Sequence, residues 1–446
     1  MNQRGFAIPV QCRTLFTTAL FALCLSVGCR AATTYPTPAP LPRDALQTPV
    51  AITFWHTQIG PARAQLNQFA GDFTKIYPSI KVRGDAKSND GDLLRQGIAA
   101  LALDQMPDLI IASPRTIAEF ARRNALVNLD PFLEDAALGW KGEDRSDLFP
   151  GALDTGRFAE FDNRLLAFPF DEHAVVLYYN ADLLRAAQLN APRTWDEFSA
   201  AARSTTRDAA RGWVMVADPF VFYAFVFSRG GSVLNDNQSE AQFNGEAGLK
   251  SLQMIAALTN GGSAYLASTP ENARLDFAEG KAAFLFESSQ DLDAVAAAVG
   301  KAGSKFQWGI SNIPQDRLDP AFTALDSSSL AIFNTSPERE RDAWLFMRWL
   351  GMPEQSARWS SASLGLPVRL SARALLAANS PANSPLASID NLIDPLPTGR
   401  GVPTVKDAAS IDQAIVDMWT AVATNTDAAA ALSRAVTRVS RVLGQK

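Results

Sequence analysis

The residues able to do chemistry are few and scattered along this chain. His56 and His173 are the only histidines, more than a hundred positions apart, and all three cysteines (Cys12, Cys24 and Cys29) precede position 30. The rest of the chain therefore has no thiol for a disulfide, a thiolate metal site or a cysteine nucleophile. A zinc site would need carboxylates at a spacing that no motif provides. Asp171 and Glu172 are neighbours, and on a strand neighbouring side chains face opposite ways, so they do not flank one scissile bond. No serine sits in a Gly-x-Ser-x-Gly elbow, and Gly300-Lys-Ala-Gly303-Ser304-Lys305 has the wrong order for a phosphate-binding loop. These absences point away from an enzyme, with no cofactor and no metal expected, and toward a binding protein.

The elements that would position a ligand begin with Val50-Ala-Ile-Thr-Phe-Trp55-His56. This run alternates like a strand and delivers Trp55 and His56 to its carboxyl end, where open α/β sheets bind ligands. Pro61 suits a first helical turn, and Leu66, Phe69, Ala70, Phe73 and Tyr77 recur at helical spacing until Pro78. A short strand at Ile80 and Val82, a helix through Leu93 and Leu101, the strand Leu109–Ala112 and a helix through Ile117 and Phe120 are predicted next. Ser113 and Arg115 follow the third strand at its carboxyl end. Further on, Thr194 and Glu197 form a capping box that opens another helix. Alternating strands and helices argue for mostly parallel sheets covered by helices.

The amino terminus reads as a secretion signal. Arg4 and Arg13 precede an apolar stretch from Leu15 to Val27, shorter than the roughly 18 residues of a spanning helix but suited to a signal core. Gly28-Cys29 resembles a lipoprotein processing site, implying a signal peptide over 1–28 and a lipidated Cys29; the plainer alternative is ordinary cleavage near Ala31 or Ala32. Residues 29–49 are rich in Pro, Thr and Ala, which favours an extended tether. At 446 residues, 47% hydrophobic and 20% charged, the chain has the composition of a soluble globular protein of two or more lobes. Loss of residues 1–28 removes Arg4 and Arg13 and no acid, taking the net charge from -5 to -7. Such a chain is a poor candidate for nucleic-acid binding.

A set of short motifs gives the arrangement a family likeness. Asn163-Arg-Leu-Leu-Ala-Phe-Pro169, Val176-Leu-Tyr-Tyr-Asn180 and Pro192-Arg-Thr-Trp-Asp-Glu197 occur in that order. Gly230-Gly231, Phe277–Phe284, Trp308–Pro314, Ala343–Leu350 and Leu364–Arg369 follow, then a helical tail from about Ile411 to Leu443. This succession resembles the bacterial extracellular solute-binding proteins of family 1, and the resemblance covers nearly the whole chain after residue 49. It implies a two-lobed periplasmic-binding-protein-like fold of type II. Each lobe is an α/β sheet flanked by helices, 50–171 with 329–372 and 172–328 with 373–446, joined by crossing segments near Asp171 and Ser328.

The resemblance also implies a function and a site. The chain is expected to be the substrate-binding component of an ABC import transporter, a monomer that takes a carbohydrate in the interlobe cleft and delivers it to membrane permease subunits served by a cytoplasmic ATPase. It would be anchored to the membrane through lipid on Cys29. The expected ligand contacts are Trp55, His56, Ser113, Arg115, Asp171, Glu172, His173, Gly231, Ser288, Ser327 and Arg400. An aromatic face stacks on a sugar ring and carboxylates accept hydroxyls. Gln290 stands where many sugar binders place a tryptophan. The alternative ligand is glycerol 3-phosphate or a glycerophosphodiester, which serine hydroxyls and the Arg400 guanidinium would suit. A sensory or adhesive surface lipoprotein is the remote alternative.

Overall fold

The computed structural model of the protein describes residues 50–140, 142–207, 209–379 and 398–444. The signal, Cys29 and the proline-rich tether lie outside the described residues. Twelve strands are present among those described. They are β1 (Val50–His56), β2 (Ile80–Ala86), β3 (Leu109–Ala112), β4 (Arg157–Phe158), β5 (Arg164–Leu165), β6 (Phe168–Asn180), β7 (Arg211–Met215), β8 (Ala264–Leu266), β9 (Ala282–Ser288), β10 (Trp308–Asn312), β11 (Ala324–Ile332) and β12 (Arg400–Gly401).

The first sheet grows from the alternation seen in the sequence. Ile52, Phe54 and His56 are buried on one face of β1, which pairs in parallel with β2 and β3. All four residues of β3 are buried, as expected of a strand covered on both faces by helices. Leu66, Phe69, Ala70 and Phe73 of the helix Gly60–Ile76 are buried. Phe346, from the helix Pro337–Leu350, lies 5.8 Å from Phe54 and 5.0 Å from Phe73. The carboxyl-terminal part of β11 adds to this sheet, antiparallel to β3.

The second lobe is built on β9, β7 and β8, mutually parallel, with β10 attached to β6. The helix Pro219–Ser228 is apolar all round, with Val221 to Ser228 buried, which is the signature of a helix enclosed by core on every side. Its Phe225 meets Trp419 of the helix Ala408–Ala423 at 5.6 Å, and Trp213 of β7 meets the same tryptophan at 6.2 Å.

Strand β6 links the lobes. From Phe168 to Ala174 it pairs with β11, and from Val175 to Tyr179 with β9. The β6–β11 register shifts between Ser328 and Ser329, opposite Asp171 and Pro169. The result is a two-lobed α/β architecture with strand order β2-β1-β3-β11-β6-β9-β7-β8.

The helical tail expected from about Ile411 to Leu443 is two helices, Ala408–Ala423 and Ala428–Gly444. Asn425 takes a left-handed φ of 77°, and Asp427 accepts a bond from the Ala430 amide at 2.8 Å. A left-handed Asn ends one helix and a capping Asp starts the next.

Candidate ligand-binding cleft

Two sets of strand ends, one from each lobe, carry the polar residues that would line an interlobe cleft. In the first lobe, Asp90 ties the loops together. Its Oδ2 accepts the Ser113 amide and the Thr116 hydroxyl, each at 3.1 Å. Ser113 also caps the helix Pro114–Ala121. Trp55 is half-buried, with Lys87 Nζ 3.9 Å from its ring centroid. His56 lies on the opposite face of β1, 2% exposed, and its Nδ1 accepts the Gln58 amide at 3.1 Å. Burial, helped by Arg63, lowers its pKa to about 4, so the ring is neutral at physiological pH.

Arg115 leaves the first lobe altogether. Its Nη2 donates to Asp412 Oδ1 at 3.0 Å and its Nε to the Pro403 carbonyl at 3.0 Å. Asp412 also accepts from the Tyr223 hydroxyl at 2.5 Å. Burial works to lower the Arg115 pKa, but the bond to Asp412 prevails and holds it above the ordinary value.

At the crossing, the residues of β6 divide by face. Asp171 accepts the Trp359 indole N–H at 2.7 Å and the Ser328 amide at 3.1 Å. Gly365 permits this packing, since a Cβ there would meet Asp171 Oδ2 at 2.5 Å. Glu172 points the other way, where its Oε1 accepts the Thr155 hydroxyl at 2.9 Å and its Oε2 has no partner. Its pKa is pushed well up, chiefly by burial and further by Asp171 and Asp326. His173 shares the Asp171 face, with Nε2 3.5 Å from Asp171 Oδ1 and Nδ1 without a partner. Ser327 is buried, its hydroxyl 2.7 Å from that of Ser329.

The electrostatic neighbours define one shared space. Desolvation raises the Asp326 pKa, His173 and Arg115 oppose that rise, and Asp90 adds to it. Asp291 is raised by desolvation and relieved by Arg274 and His173. Glu287, bonded to Arg274 at 2.9 Å, is pushed to about 7 by burial, with Asp291 and Asp218 contributing. Asp218, which caps the helix Pro219–Ser228 through the Val221 amide at 3.0 Å, is raised by burial and by Asp291 and Asp412. Asp90, Asp218, Glu287, Asp291, Asp326 and Asp412 thus act electrostatically on one another or on Arg115, Arg274 and His173, with Asp412 bonded to Arg115 and both Glu287 and Asp291 bonded to Arg274. Such a space suits neutral hydroxyls or a cationic group better than a dianion. None of these acids is among the contacts expected from the sequence. Asp218 carried a readable signal, an Asp-Pro at a strand end opening a helix; Asp412 carried none.

Of the other expected contacts, Ser288 caps the turn after β9 through the Gln290 amide at 3.2 Å. Arg400 and Gly231 lie together in the second lobe, the guanidinium donating to the Gly231 carbonyl at 3.0 Å and to the Ser232 hydroxyl at 3.1 Å. Arg400 lines a separate cavity of about 990 Å³ whose walls include Trp195, Ser228, Arg229, Gln315 and Phe322. Arg400 is the one expected contact on its wall.

Two lobes bridged by shared strands, with strand-end polar residues facing each other, define a solute-binding protein. A family model described as bacterial extracellular solute-binding protein matches residues 57–357, and this chain belongs to that family. Over 341 residues it is 25% identical to the sn-glycerol-3-phosphate-binding periplasmic protein UgpB of Rhizobium meliloti (strain 1021), covering 73% of this chain and 77% of that one. Among solved structures it resembles the cyclic alpha-maltosyl-1,6-maltose binding protein from Arthrobacter globiformis, with a TM-score of 0.76 at 20% identity over 89% of this chain and 100% of that one. UgpB from Mycobacterium tuberculosis in complex with glycerophosphocholine gives a TM-score of 0.68 at 20% identity over 88% and 98%. The chain is therefore an extracytoplasmic, non-catalytic substrate-binding component of the ABC-transport type, partnered by permease and ATPase subunits.

Proposed function

We propose that the solute captured in the interlobe cleft is a glycerophosphodiester whose head group is neutral or cationic, such as sn-glycero-3-phosphocholine. The observation that carries this reading is the acidic wall of Asp218, Asp291 and Asp326 beside Arg115, taken with the 25% identity to a glycerol-3-phosphate-binding relative. A diester carries one negative charge, for which the Asp412-bound Arg115 offers only its remaining N–H groups, and the wall favours a cationic head. A dianionic monoester would face repulsion from the same wall. Trp55, Ser113 and His173 complete the contacts in this reading. The hinge lies at Asp171 and Ser328, and the mature chain is a monomer anchored through lipid on Cys29.

A neutral carbohydrate is the second reading, favoured by the half-buried Trp55 ring beside carboxylates that accept hydroxyls. A thermal-shift and calorimetry panel of sn-glycero-3-phosphocholine, sn-glycerol 3-phosphate and maltose separates the two. A ligand at 100 times its Kd stabilises the native state by about 2.7 kcal/mol, so the expected result is a rise in Tm with the diester. A rise with maltose alone establishes the second reading, and tighter binding of the monoester than the diester overturns the first.

A further inference from the structure

Arg400 is a half-buried cation with no carboxylate within bonding distance among the described residues; Asp236 acts on it only through space, against the effect of burial. Its Nη1 makes both of its hydrogen bonds, to Gly231 and Ser232, and the rings of Phe227 and Phe322 flank the guanidinium at 5.5 and 5.0 Å. Among the described residues its Nε and Nη2 have no partner and it forms no ion pair. The cations beside it are different: Arg229 is bonded to Asp316 at 2.9 Å and Lys250 to Glu246 at 2.7 Å. A guanidinium drawn out of water without a carboxylate costs stability, and here burial lowers its pKa. Fixed between two rings with two donors free, it presents the planar fork that matches a pair of oxyanion oxygens.

The space in front of it has the dimensions of a small-molecule site. The cavity of about 990 Å³ lies at the upper end of the roughly 300–1,000 Å³ usual for ligand pockets. Its floor carries buried Trp195, Met254 and Gln315, and its exposed rim carries Lys250 and Arg317 as further cations with Asp196 as an acceptor. All of these residues belong to the second lobe, and none is among the cleft residues described above.

We propose that this cavity is a second ligand site, distinct from the interlobe cleft, that takes a small hydroxylated molecule bearing one carboxylate or phosphate group anchored on Arg400. The site is independent of which solute the cleft captures.

The test is an NMR titration of the full chain with D-gluconate and with glucose 6-phosphate, using glucose as the neutral control. Both anions, and not glucose, are expected to shift the amides of Gly231, Ser232 and Gly401. Arg400→Gln should weaken that binding at least tenfold, Arg400→Lys by a smaller factor, and the exposed variants Lys250→Gln and Arg317→Gln about two- to threefold each. Arg115→Gln should leave it unchanged. The proposal is overturned if neither anion shifts these amides, if shifts appear only around His173 and Asp326, or if Arg400→Gln folds and binds the anions as the parent does. Should Arg400→Gln fail to fold, unchanged anion binding in both rim variants and Arg400→Lys overturns it equally.

Discussion

The interlobe cleft and the cavity of the second lobe distribute charge in opposite ways. In the cleft the arginines are committed, Arg115 to Asp412 and Arg274 to Glu287 and Asp291, and the surplus is carboxylate. In the cavity the acids Asp316 and Glu246 are committed to Arg229 and Lys250, and the cations Arg400 and Arg317 outnumber the remaining acid, Asp196. Position in a family pattern thus says where a side chain starts, while the long-range partners decide which ligand charge it can meet. The lesson is sharpest for Arg115 and Arg400, both expected to face one ligand and each answered by different neighbours.

The largest effect should come from the crossing. Asp171→Ala leaves the Trp359 indole and the Ser328 amide buried without an acceptor, and a loss of about 3 kcal/mol in urea unfolding is expected. A loss of ligand affinity with stability intact would instead make Asp171 a ligand contact. Next, Arg115→Gln removes the bridge between lobes and should cost about 1–2 kcal/mol. Small-angle scattering of the unliganded variant should show a larger radius of gyration; an unchanged radius would mean that the bridge does not hold the lobes together.

A pH experiment probes the acidic side of the comparison. Glu287 titrates at about 7 in the fold, against 4.5 for the free side chain. Between those values the folded state holds the extra proton, so the contribution of this group is complete below pH 4.5 and fades as pH rises through 7. Glu287→Gln should flatten that part of the stability profile by up to about 3 kcal/mol. If the slope is unchanged, Arg274 keeps Glu287 ionised throughout. The smallest effect is expected at the cleft edge, where Lys87→Gln removes the cation above Trp55 and should cost about 0.5–1 kcal/mol. A larger loss would mean that Lys87 has a structural task beyond the ring.

What the sequence made legible is local. The alternation in β1, the run at β3 and the capping box at Thr194, whose hydroxyl accepts the Glu197 amide at 3.2 Å, all depend on neighbours within a few residues. The family pattern carried the two-lobed order in the same way. The site was read less well for physical reasons. Strand alternation places Trp55 and His56 on opposite faces, as it does Glu172 against Asp171 and His173, so a run of adjacent polar residues does not line one surface. Asp412 sits 297 positions from Arg115, and nothing in its own helix marks it as the partner. The Arg400 surroundings come from two separate stretches, Phe227 to Ser232 and Phe322, both far from position 400 in the chain.

Strand β6 has a mechanical consequence. One uninterrupted ribbon of thirteen residues is stitched along its first half to β11 and along its second half to β9 and β10. Relative rotation of the lobes would then be absorbed as torsion between Asp171 and the change of partner at Ala174, with the irregular register at Ser328 and Ser329 taking up the slack on the facing strand. The same ribbon transmits damage. Fraying at either end unzips hydrogen bonds that the other lobe also depends on, so heating should melt both lobes in a single calorimetric transition with no half-folded intermediate.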